Sequence, residues 1–496
     1  MESVRAQWTR FRTARGWMIG MVIAALLPVA VGLGLAATSH ATCGIQDVEG
    51  PCPPPTLGPG GQAVDDKFYF VHQSLRGDGS ITARITGMTG RIKEPPPPGT
   101  GPGPMPVPGL VPWAKAGLLV KDGIKQGSSY AAIMMTAEHG VRMQHDFTED
   151  VAGSTGGFPR WLRLTRAGDT ITGAESADGR QWTEVSRARL AGMPETVEIG
   201  LFATSPGALT MSRGGPESRF AEATGVFDNV GIEPGGSAQT SGNTQAGGGA
   251  WKQDDIGVTM EPGGAPHHPG GFTRDGDTFR VTGVGDIAPS ADGQPIERVL
   301  VGGFAALIVM IVVAVTFVTS RRRPGGGLAA GAAVLGAVAF VVGALPAAVV
   351  IPLSLRMLPA NGIHPLPVGL MTHLRVIVGT GLLFAAVAVL SAGLAVLLRR
   401  AGVAIAVTLA VVFLPYVLAL AGAGAWLLAL TPASGFAIQQ SLPVYPQVDG
   451  FYLPKTGYFP LPPWAGLGVL AAYTALTVAG AWWVARKRYG RQHENA

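Results

Sequence analysis

The sequence is poor in charged residues for its length. Of 496 residues, 14% are Asp, Glu, Lys or Arg, whereas soluble domains usually contain about 25%. Hydrophobic residues reach 47%. Because a single soluble core of this length needs more charge on its surface, the composition argues against an ordinary soluble protein and indicates membrane-spanning segments.

Several motifs that carry chemistry are also missing. The sequence contains no GxxxxGK[ST] phosphate loop, no HExxH and no paired CxxC, so it offers neither a nucleotide site nor a metal site of these types. The spacing Glu-x-Asp-x-x-Glu, which would place carboxylates on one face of a strand for glycoside hydrolysis, does not occur either. We therefore expect no catalytic residues, no metal and no cofactor.

Six apolar runs are long enough to cross a bilayer, and none contains Asp, Glu, Lys, Arg or His. The runs are residues 17–37, 299–319, 328–351, 376–398, 401–430 and 464–485. Ion-coupled carriers usually need ionisable groups within the membrane, so these runs argue against an ion-driven pump. The first run is longer than the usual signal core of about 7–15 residues, and we predict an uncleaved anchor, with cleavage as the alternative.

The basic residues are distributed unevenly along the chain. Residues 38–296 hold 20 basic and 28 acidic residues, and the remainder holds 17 basic and 4 acidic residues. Thirteen of those 17 share one side if the chain crosses six times. They are Arg5, Arg10, Arg12, Arg15, Arg321, Arg322, Arg323, Arg399, Arg400, Arg486, Lys487, Arg488 and Arg491. The positive-inside rule then predicts cytoplasmic termini and an extracellular polar block, and it argues against nucleic-acid binding.

Two short segments flank the first run. Before it, Val4, Trp8 and Phe11 recur at helical spacing, which predicts an interfacial helix on the cytoplasmic leaflet, with a frayed basic tail as the alternative. After it come the only two cysteines, Cys43 and Cys52. Outside the cell a disulfide is their expected state, and two free thiols are the alternative.

The polar block contains many short alternating strands separated by glycine-rich turns, which is typical of an all-β sandwich. Strict alternation is clearest in 161–166, and a Gly, Ser, Thr and Gln stretch at 235–249 indicates a linker. We therefore divide the chain into a cytoplasmic segment 1–16, the first helix 17–37, an extracellular loop 38–64, a sandwich 65–234, a linker with a small segment 235–298, helices two to six 299–485, and a cytoplasmic tail 486–496.

Parts of the sandwich resemble a concanavalin A-like (laminin G-like) domain. The resemblance lies in residues 113–118, 161–166, 176–182 and 227–230. It implies glycan binding, and three tryptophans are the candidate contacts because indole rings stack on sugars. They are Trp113, Trp161 and Trp182. The alternative is that they belong to the core of the sandwich.

The membrane half resembles the six-span permease subunit of bacterial ABC exporters. The resemblance lies in residues 283–289, 374–380, 431–440 and 457–467. It implies a cytoplasmic ATP-binding-cassette partner and a working pair of permeases, identical or different. The predicted fold is thus a membrane all-α six-helix bundle, in contact with lipid, plus an extracellular all-β sandwich of the concanavalin A-like class.

The resemblance has one departure. Such permeases usually carry a longer basic segment between spans two and three, whereas this chain has only residues 320–326, which include Arg321, Arg322 and Arg323. These arginines are candidate ATPase contacts, or they serve only as a topology anchor. The uncharged runs favour an amphipathic substrate for export. The alternative function is a membrane-anchored protein that binds or senses extracellular glycan or cell wall.

Overall fold

The computed structural model describes residues 4–45, 48–95, 105–212, 215–235, 250–257, 259–260, 266–267, 270–291, 293–320 and 328–494. Eight α-helices lie within these ranges. They are α1 Val4–Thr13, α2 Arg15–Thr38, α3 Gly302–Thr319, α4 Leu328–Met357, α5 Leu370–Leu398, α6 Ala401–Leu420, α7 Leu427–Leu430 and α8 Pro463–Glu494. Short 3-10 helices are Ile296–Leu300, Leu358–Asn361, Pro432–Gln439 and Pro454–Thr456.

Six of the helices are long and apolar enough to cross a membrane, namely α2, α3, α4, α5, α6 and α8. The six predicted apolar runs are thus confirmed as six long helices, as expected of a multi-pass membrane protein. Helix α5 is central because it packs against α3, α4, α6 and α8. Gly379 on α5 lies against Ile438, and a Cβ there would come within 2.3 Å of the Ile438 side chain.

Several helix boundaries differ from the predicted runs, and those of α5 and α6 bear on the site. Helix α5 begins at Leu370, six residues before the run at 376, so its first turns contain His373 and Arg375. The predicted run 376–398 itself contains no ionisable group, and the helix extends beyond this apolar stretch at its N-terminal end. Helix α6 ends at Leu420 and not at residue 430, since Gly422 adopts a left-handed backbone with φ of 82°.

Helix α1 packs against one end of the bundle. Its buried residues are Gln7 and Phe11, and the ring of Phe11 meets Phe317 of α3 edge-on at 5.5 Å. Trp8 is 44% exposed, so it does not share the protein contact of Phe11, and the predicted position on the cytoplasmic leaflet stays a prediction. Helix α1 is therefore attached to the bundle through the contact between Phe11 and Phe317 at the end of α3.

Within its described residues, the polar block contains 23 strands. The first twelve are β1 Thr42–Ile45, β2 Val48–Pro51, β3 Val64–Asp66, β4 Phe68–Arg76, β5 Gly79–Glu94, β6 Met105–Pro108, β7 Lys115–Lys121, β8 Tyr130–Thr136, β9 Val141–His145, β10 Glu149–Ala152, β11 Arg160–Ala167 and β12 Thr170–Ser176. The others are β13 Thr183–Arg189, β14 Thr196–Thr204, β15 Ala208–Ser212, β16 Gly215–Arg219, β17 Ala221–Pro234, β18 Lys252–Ile256, β19 Thr259–Met260, β20 Pro266–His267, β21 Gly271–Asp275, β22 Thr278–Val284 and β23 Ile287–Pro289.

Two large antiparallel sheets dominate this domain. One has seven strands in the order β10-β9-β8-β7-β14-β4-β18, and the other runs β13-β12-β11-β5-β17-β22-β21 with β6 paired to β5. Alternate residues of both sheets meet in one apolar core, for example Leu118 and Val120 from one sheet and Ile81 and Leu162 from the other. A large β domain accompanies the helices, as expected.

The β domain extends beyond its predicted boundary at residue 234. Strand β18 completes the edge of the seven-stranded sheet by pairing with β4. The hairpin β21–β22 pairs with β17 in the other sheet, and Phe279 and Val281 of β22 enter the shared core. The segment expected as a linker and small separate piece therefore contributes to both sheets, because strand pairing across the low-complexity stretch is non-local.

The outer face of the seven-stranded sheet is buried as well. Strands β3 and β23 pair with each other, and Val64 and Ile287 from them join a second apolar cluster with Phe68, Phe70 and Phe202 of the sheet. Two lysines of β7 lie on this face and are paired with carboxylates. Lys115 Nζ lies 2.6 Å from Asp286 and Lys121 Nζ lies 2.8 Å from Asp66. Burial without these partners would be costly.

Cys43 and Cys52 form a disulfide across the β1–β2 hairpin, so the predicted pairing is confirmed. The backbone carbonyl of Cys52 lies 2.8 Å from Nε2 of His364, which follows α4. The disulfide hairpin is therefore joined to the helical part of the chain as well as to α2.

Candidate functional site

The chain between α6 and α8 turns back into the bundle. We call residues 427–440 the re-entrant segment. It packs among α5, α6 and α8, and Pro432 to Ile438 are buried. Tyr473 donates a hydrogen bond to the Leu430 carbonyl at 2.8 Å, and Tyr473 lies about 15 Å along α8 from its first residue. Irregular backbone at this depth is tolerated when protein covers it.

The exit of the re-entrant segment is held by two oppositely charged residues. The guanidinium of Arg375 on α5 donates to the carbonyls of Ile438 at 3.1 Å and Gln440 at 2.6 Å. Glu297 approaches from the 3-10 helix before α3. Its carboxylate accepts from the backbone N–H of Ser441 at 3.2 Å and from the Ser441 hydroxyl at 2.5 Å. The adjacent residues Gln440 and Ser441 are therefore hydrogen-bonded to α5 and to the 3-10 helix before α3, respectively.

Burial raises the pKa of Glu297 to about 7. The hydrogen bonds from Ser441 and the positive charge of Arg375 act in the opposite direction, and they are outweighed. At neutral pH this carboxyl group is thus divided between its protonated and ionised forms, which is unusual for a glutamate.

Two cavities lie on either side of this exit. The larger, which we call the Arg375 cavity, has a volume of about 850 Å³. It lies between the loop after α4, the start of α5 and the segment leading into α8. Its polar side chains include Gln62, Ser290, Thr372, Arg375 and Gln440, and most of the remaining lining is apolar or backbone. Arg375 is the only charged residue among the described residues that line it.

The smaller one, the Glu297 cavity, has a volume of about 440 Å³. Aromatic rings form part of its wall. Tyr416 and Phe436 lie 5.0 Å apart between ring centroids, and Phe304 lies 5.1 and 5.2 Å from them. Phe459 lines both cavities, so it separates them together with the exit of the re-entrant segment.

The candidate ATPase contacts Arg321, Arg322 and Arg323 lie outside the described residues. Their neighbour Ser320 caps α3, and its hydroxyl accepts a hydrogen bond from Arg10 of α1 at 3.0 Å. The guanidinium of Arg10 also lies over the rings of Trp17 and Phe317. Helix α1 and the end of α3 thus form one surface at this end of the bundle.

The three candidate glycan contacts differ in their surroundings. Trp113 is buried and stacks on His139 at 4.0 Å. Trp161 and Trp182 are half-buried. Trp161 lies on the outer face of the eight-stranded sheet, because its neighbour Leu162 points into the core. The guanidinium of Arg163 lies 3.9 Å from the Trp182 ring. Trp161 and Trp182 are therefore not core residues, and only Trp113 is closed off.

Sequence reasoning missed Glu297 and the role of Arg375. Glu297 is one of only four acidic residues outside 38–296, and that scarcity was the available signal. It was overlooked because it precedes the apolar run at 299. Arg375 was left out of the sequence-based site because it immediately precedes the apolar run at 376. Only the packing of the re-entrant segment brings Glu297 and Arg375 to neighbouring residues of the chain, Ser441 and Gln440.

Comparisons with known proteins yield little. No protein-family description matches the sequence, and no curated protein matches it. Among solved structures, a functionally unknown protein from Saccharomyces cerevisiae is similar over 37% of this chain and 82% of its own, with 12% identity and a TM-score of 0.22. A mutant GH43 protein from Bacillus licheniformis is similar over 25% of this chain and 24% of its own, with 13% identity and a TM-score of 0.17. Likenesses this slight support no conclusion about function.

Proposed function

We propose that this chain is the permease subunit of an ATP-binding-cassette exporter in the plasma membrane. It would move an amphipathic substrate with energy from a separate ATPase. The observation that carries the proposal is the buried re-entrant segment, whose exit is flanked by two cavities. Broken helices next to cavities are typical of transporters, because their free backbone groups can serve a substrate.

The proposed orientation has both termini in the cytoplasm and the β domain, as a concanavalin A-like sandwich, outside. The flanking basic residues support it. So does the position of α1 beside the end of α3, since both Arg10 and Ser320 then lie on the cytoplasmic side. In this orientation the two cavities open near the extracellular ends of α5 and α8.

Transport would proceed by rigid-body alternation of two six-helix units, this chain and a second permease, driven by closure of the ATPase. The chain has no nucleotide motif, so the energy must enter through the cytoplasmic surface. We propose that α1 and the segment with Arg321, Arg322 and Arg323 form that surface. The contact of Arg10 with Ser320 makes them neighbours.

Association with the ATPase tests this surface. The variant with Arg321, Arg322 and Arg323 changed to Ser should recover less ATPase in mild detergent than the wild type. Arg399→Ser with Arg400→Ser is the matched control, because it removes basic residues from the same predicted side. Unchanged ATPase recovery in a correctly oriented triple variant would remove the three arginines from the interface.

A second function, extracellular glycan binding or sensing, is favoured by one observation. Trp161 and Trp182 are half-exposed on the outer side of the β domain, with Arg84 and Arg163 beside them, and such surfaces suit sugar rings. Trp161→Ala together with Trp182→Ala should abolish binding to purified cell-wall glycan if this function holds. Glycan binding without any ATPase partner would favour this alternative over export.

A further inference from the structure

The Arg375 cavity combines apolar walls with one cation. Its apolar lining includes Leu442, Phe459 and Trp464, and its volume of about 850 Å³ lies within the usual range for small-molecule sites. Glu297 lies across the exit of the re-entrant segment, bonded to Ser441, and it lines the other cavity. No acidic residue of the described chain lines the Arg375 cavity, so its electrostatic preference is for a negative charge.

Arg375 retains unused hydrogen-bonding capacity. A guanidinium carries five N–H donors, and two hydrogen bonds to carbonyls are formed, those to Ile438 and Gln440. Three donors therefore have no partner among the described residues. Guanidinium groups bind phosphate and carboxylate through parallel N–H donors, so the cation can serve the re-entrant segment and a ligand together.

Exposed apolar side chains stand next to the cavity, where α5 and α8 begin. Leu370 and Met371 are 68% and 75% exposed, and Trp464 is 58% exposed. In a membrane protein such side chains lie against lipid or at its interface. A hydrocarbon chain can therefore reach the cavity from the bilayer side while a polar group meets Arg375.

We propose that the Arg375 cavity binds an amphiphile with a single anionic head group, a phosphate or carboxylate, and that Arg375 binds the head group. This inference deepens the proposed export function by naming the chemical class of the substrate. The aromatic and proline-rich walls hold the hydrocarbon part, and charge excludes cationic amphiphiles of the same length.

Photo-crosslinking of the full chain in phosphatidylcholine nanodiscs tests the proposal. The probes are dodecyl phosphate, dodecanol and dodecyltrimethylammonium, each with the same diazirine in the chain. The phosphate probe should label residues 440–464 about tenfold more than the ammonium probe. Equal labelling of this segment by the two charged probes would overturn the proposal.

Variants identify the residue responsible. Arg375→Gln should lower phosphate labelling about tenfold, and the Arg356→Gln control, at the exposed end of α4, should not. Unchanged dodecanol labelling shows that the cavity of the Arg375→Gln variant is intact, and unchanged phosphate labelling there would contradict the proposal. If the Arg375→Gln variant also loses dodecanol labelling, the Arg375→Lys variant tests the assignment of the head group to residue 375. It must keep the preference for phosphate over ammonium, and loss of that preference in a variant that still binds dodecanol overturns the assignment.

The source of the ligand is settled in a second set of nanodiscs that contain phosphatidylglycerol. Competition by this lipid assigns the site to a bilayer lipid, and undiminished labelling assigns it to a free amphiphile. These measurements use no ATPase. A chain that binds the phosphate probe but recovers no ATPase keeps the anionic site and contradicts the export function.

Discussion

At the scale of single residues, Glu297 and Arg375 carry most of the site. Glu297 belongs to the 3-10 helix that joins β23 to α3, and Arg375 belongs to α5. Each is bonded to the exit of the re-entrant segment. A movement of the β domain relative to α5 would therefore displace the backbone at Gln440 and Ser441, which the two residues hold from opposite sides.

The raised pKa of Glu297 predicts a pH-dependent stability. The folded chain holds this proton up to about pH 7, against an ordinary pKa of 4.5, so it binds the proton more tightly than the unfolded chain. Stability should therefore fall as the pH rises through this window, by about 3 kcal/mol. Glu297→Gln should lack this decline, measured as melting temperature against pH in nanodiscs.

Glu149→Gln, an exposed carboxylate on β10, is the control for this measurement and should retain the decline. If the Glu297→Gln variant and the wild type show the same dependence of melting temperature on pH, Glu297 does not titrate in this window. The Ser441 contacts would then hold an ordinary ionised carboxylate.

The cysteine pair supports a second prediction at this scale. Alkylation of the purified chain without reductant should add no mass, because both sulfurs are bonded. Cys43→Ser with Cys52→Ser should cost at most about 2–3 kcal/mol, since the closed loop is short. Thermal unfolding of the β domain, followed by its tryptophan fluorescence, should remain cooperative. Loss of that cooperativity would mean that the hairpin supports the whole domain.

At the scale of elements, local patterns account for the helices and for most strands. The apolar runs predict all six long helices, and alternation predicts β11 and β12. The edges of the sheets are different, because their strands pair with distant parts of the sequence. Strand β22 pairs with β17, more than 50 residues earlier, and β18 pairs with β4, which is much further away. No local pattern encodes such pairing, so the domain boundary at 234 could not be corrected from the sequence.

The outer strands predict different behaviour for two fragments. Residues 60–291 contain both complete sheets and should unfold cooperatively with a β-type circular dichroism spectrum. Residues 60–234 lack β18 and β22, and the loss of Phe279 and Val281 exposes the shared core. The shorter fragment should therefore melt lower or aggregate. Equal melting temperatures for the two would show that these strands add little to the domain.

At the scale of the whole molecule, the β domain and the bundle are in direct contact. Gln447, in the segment leading to α8, donates to the Thr148 carbonyl at 3.0 Å, and Leu366 donates its N–H to the Gln294 carbonyl at 3.2 Å. The first of these contacts joins residues 299 positions apart in the chain. Sequence reasoning could place the two parts on one chain, but it could not predict where they meet.

The orientation gives a labelling prediction for the whole chain. With Cys43 and Cys52 bonded, a membrane-impermeant maleimide should react in intact cells with Gln181→Cys, which is exposed in the β domain. Gly16→Cys, where no atom lies within 4 Å of the added Cβ, should react only after the membrane is permeabilised. The reverse pattern would contradict the proposed topology.

The central claim is that this chain works with a separate ATPase. The most direct measurement is ATP hydrolysis by the partner ATPase, co-purified with the full chain in mild detergent and reconstituted into liposomes. The account predicts hydrolysis that depends on the permease and falls in the variant lacking Arg321, Arg322 and Arg323. Failure to recover any ATPase with the correctly oriented chain, or hydrolysis unaffected by removing the permease, would contradict it.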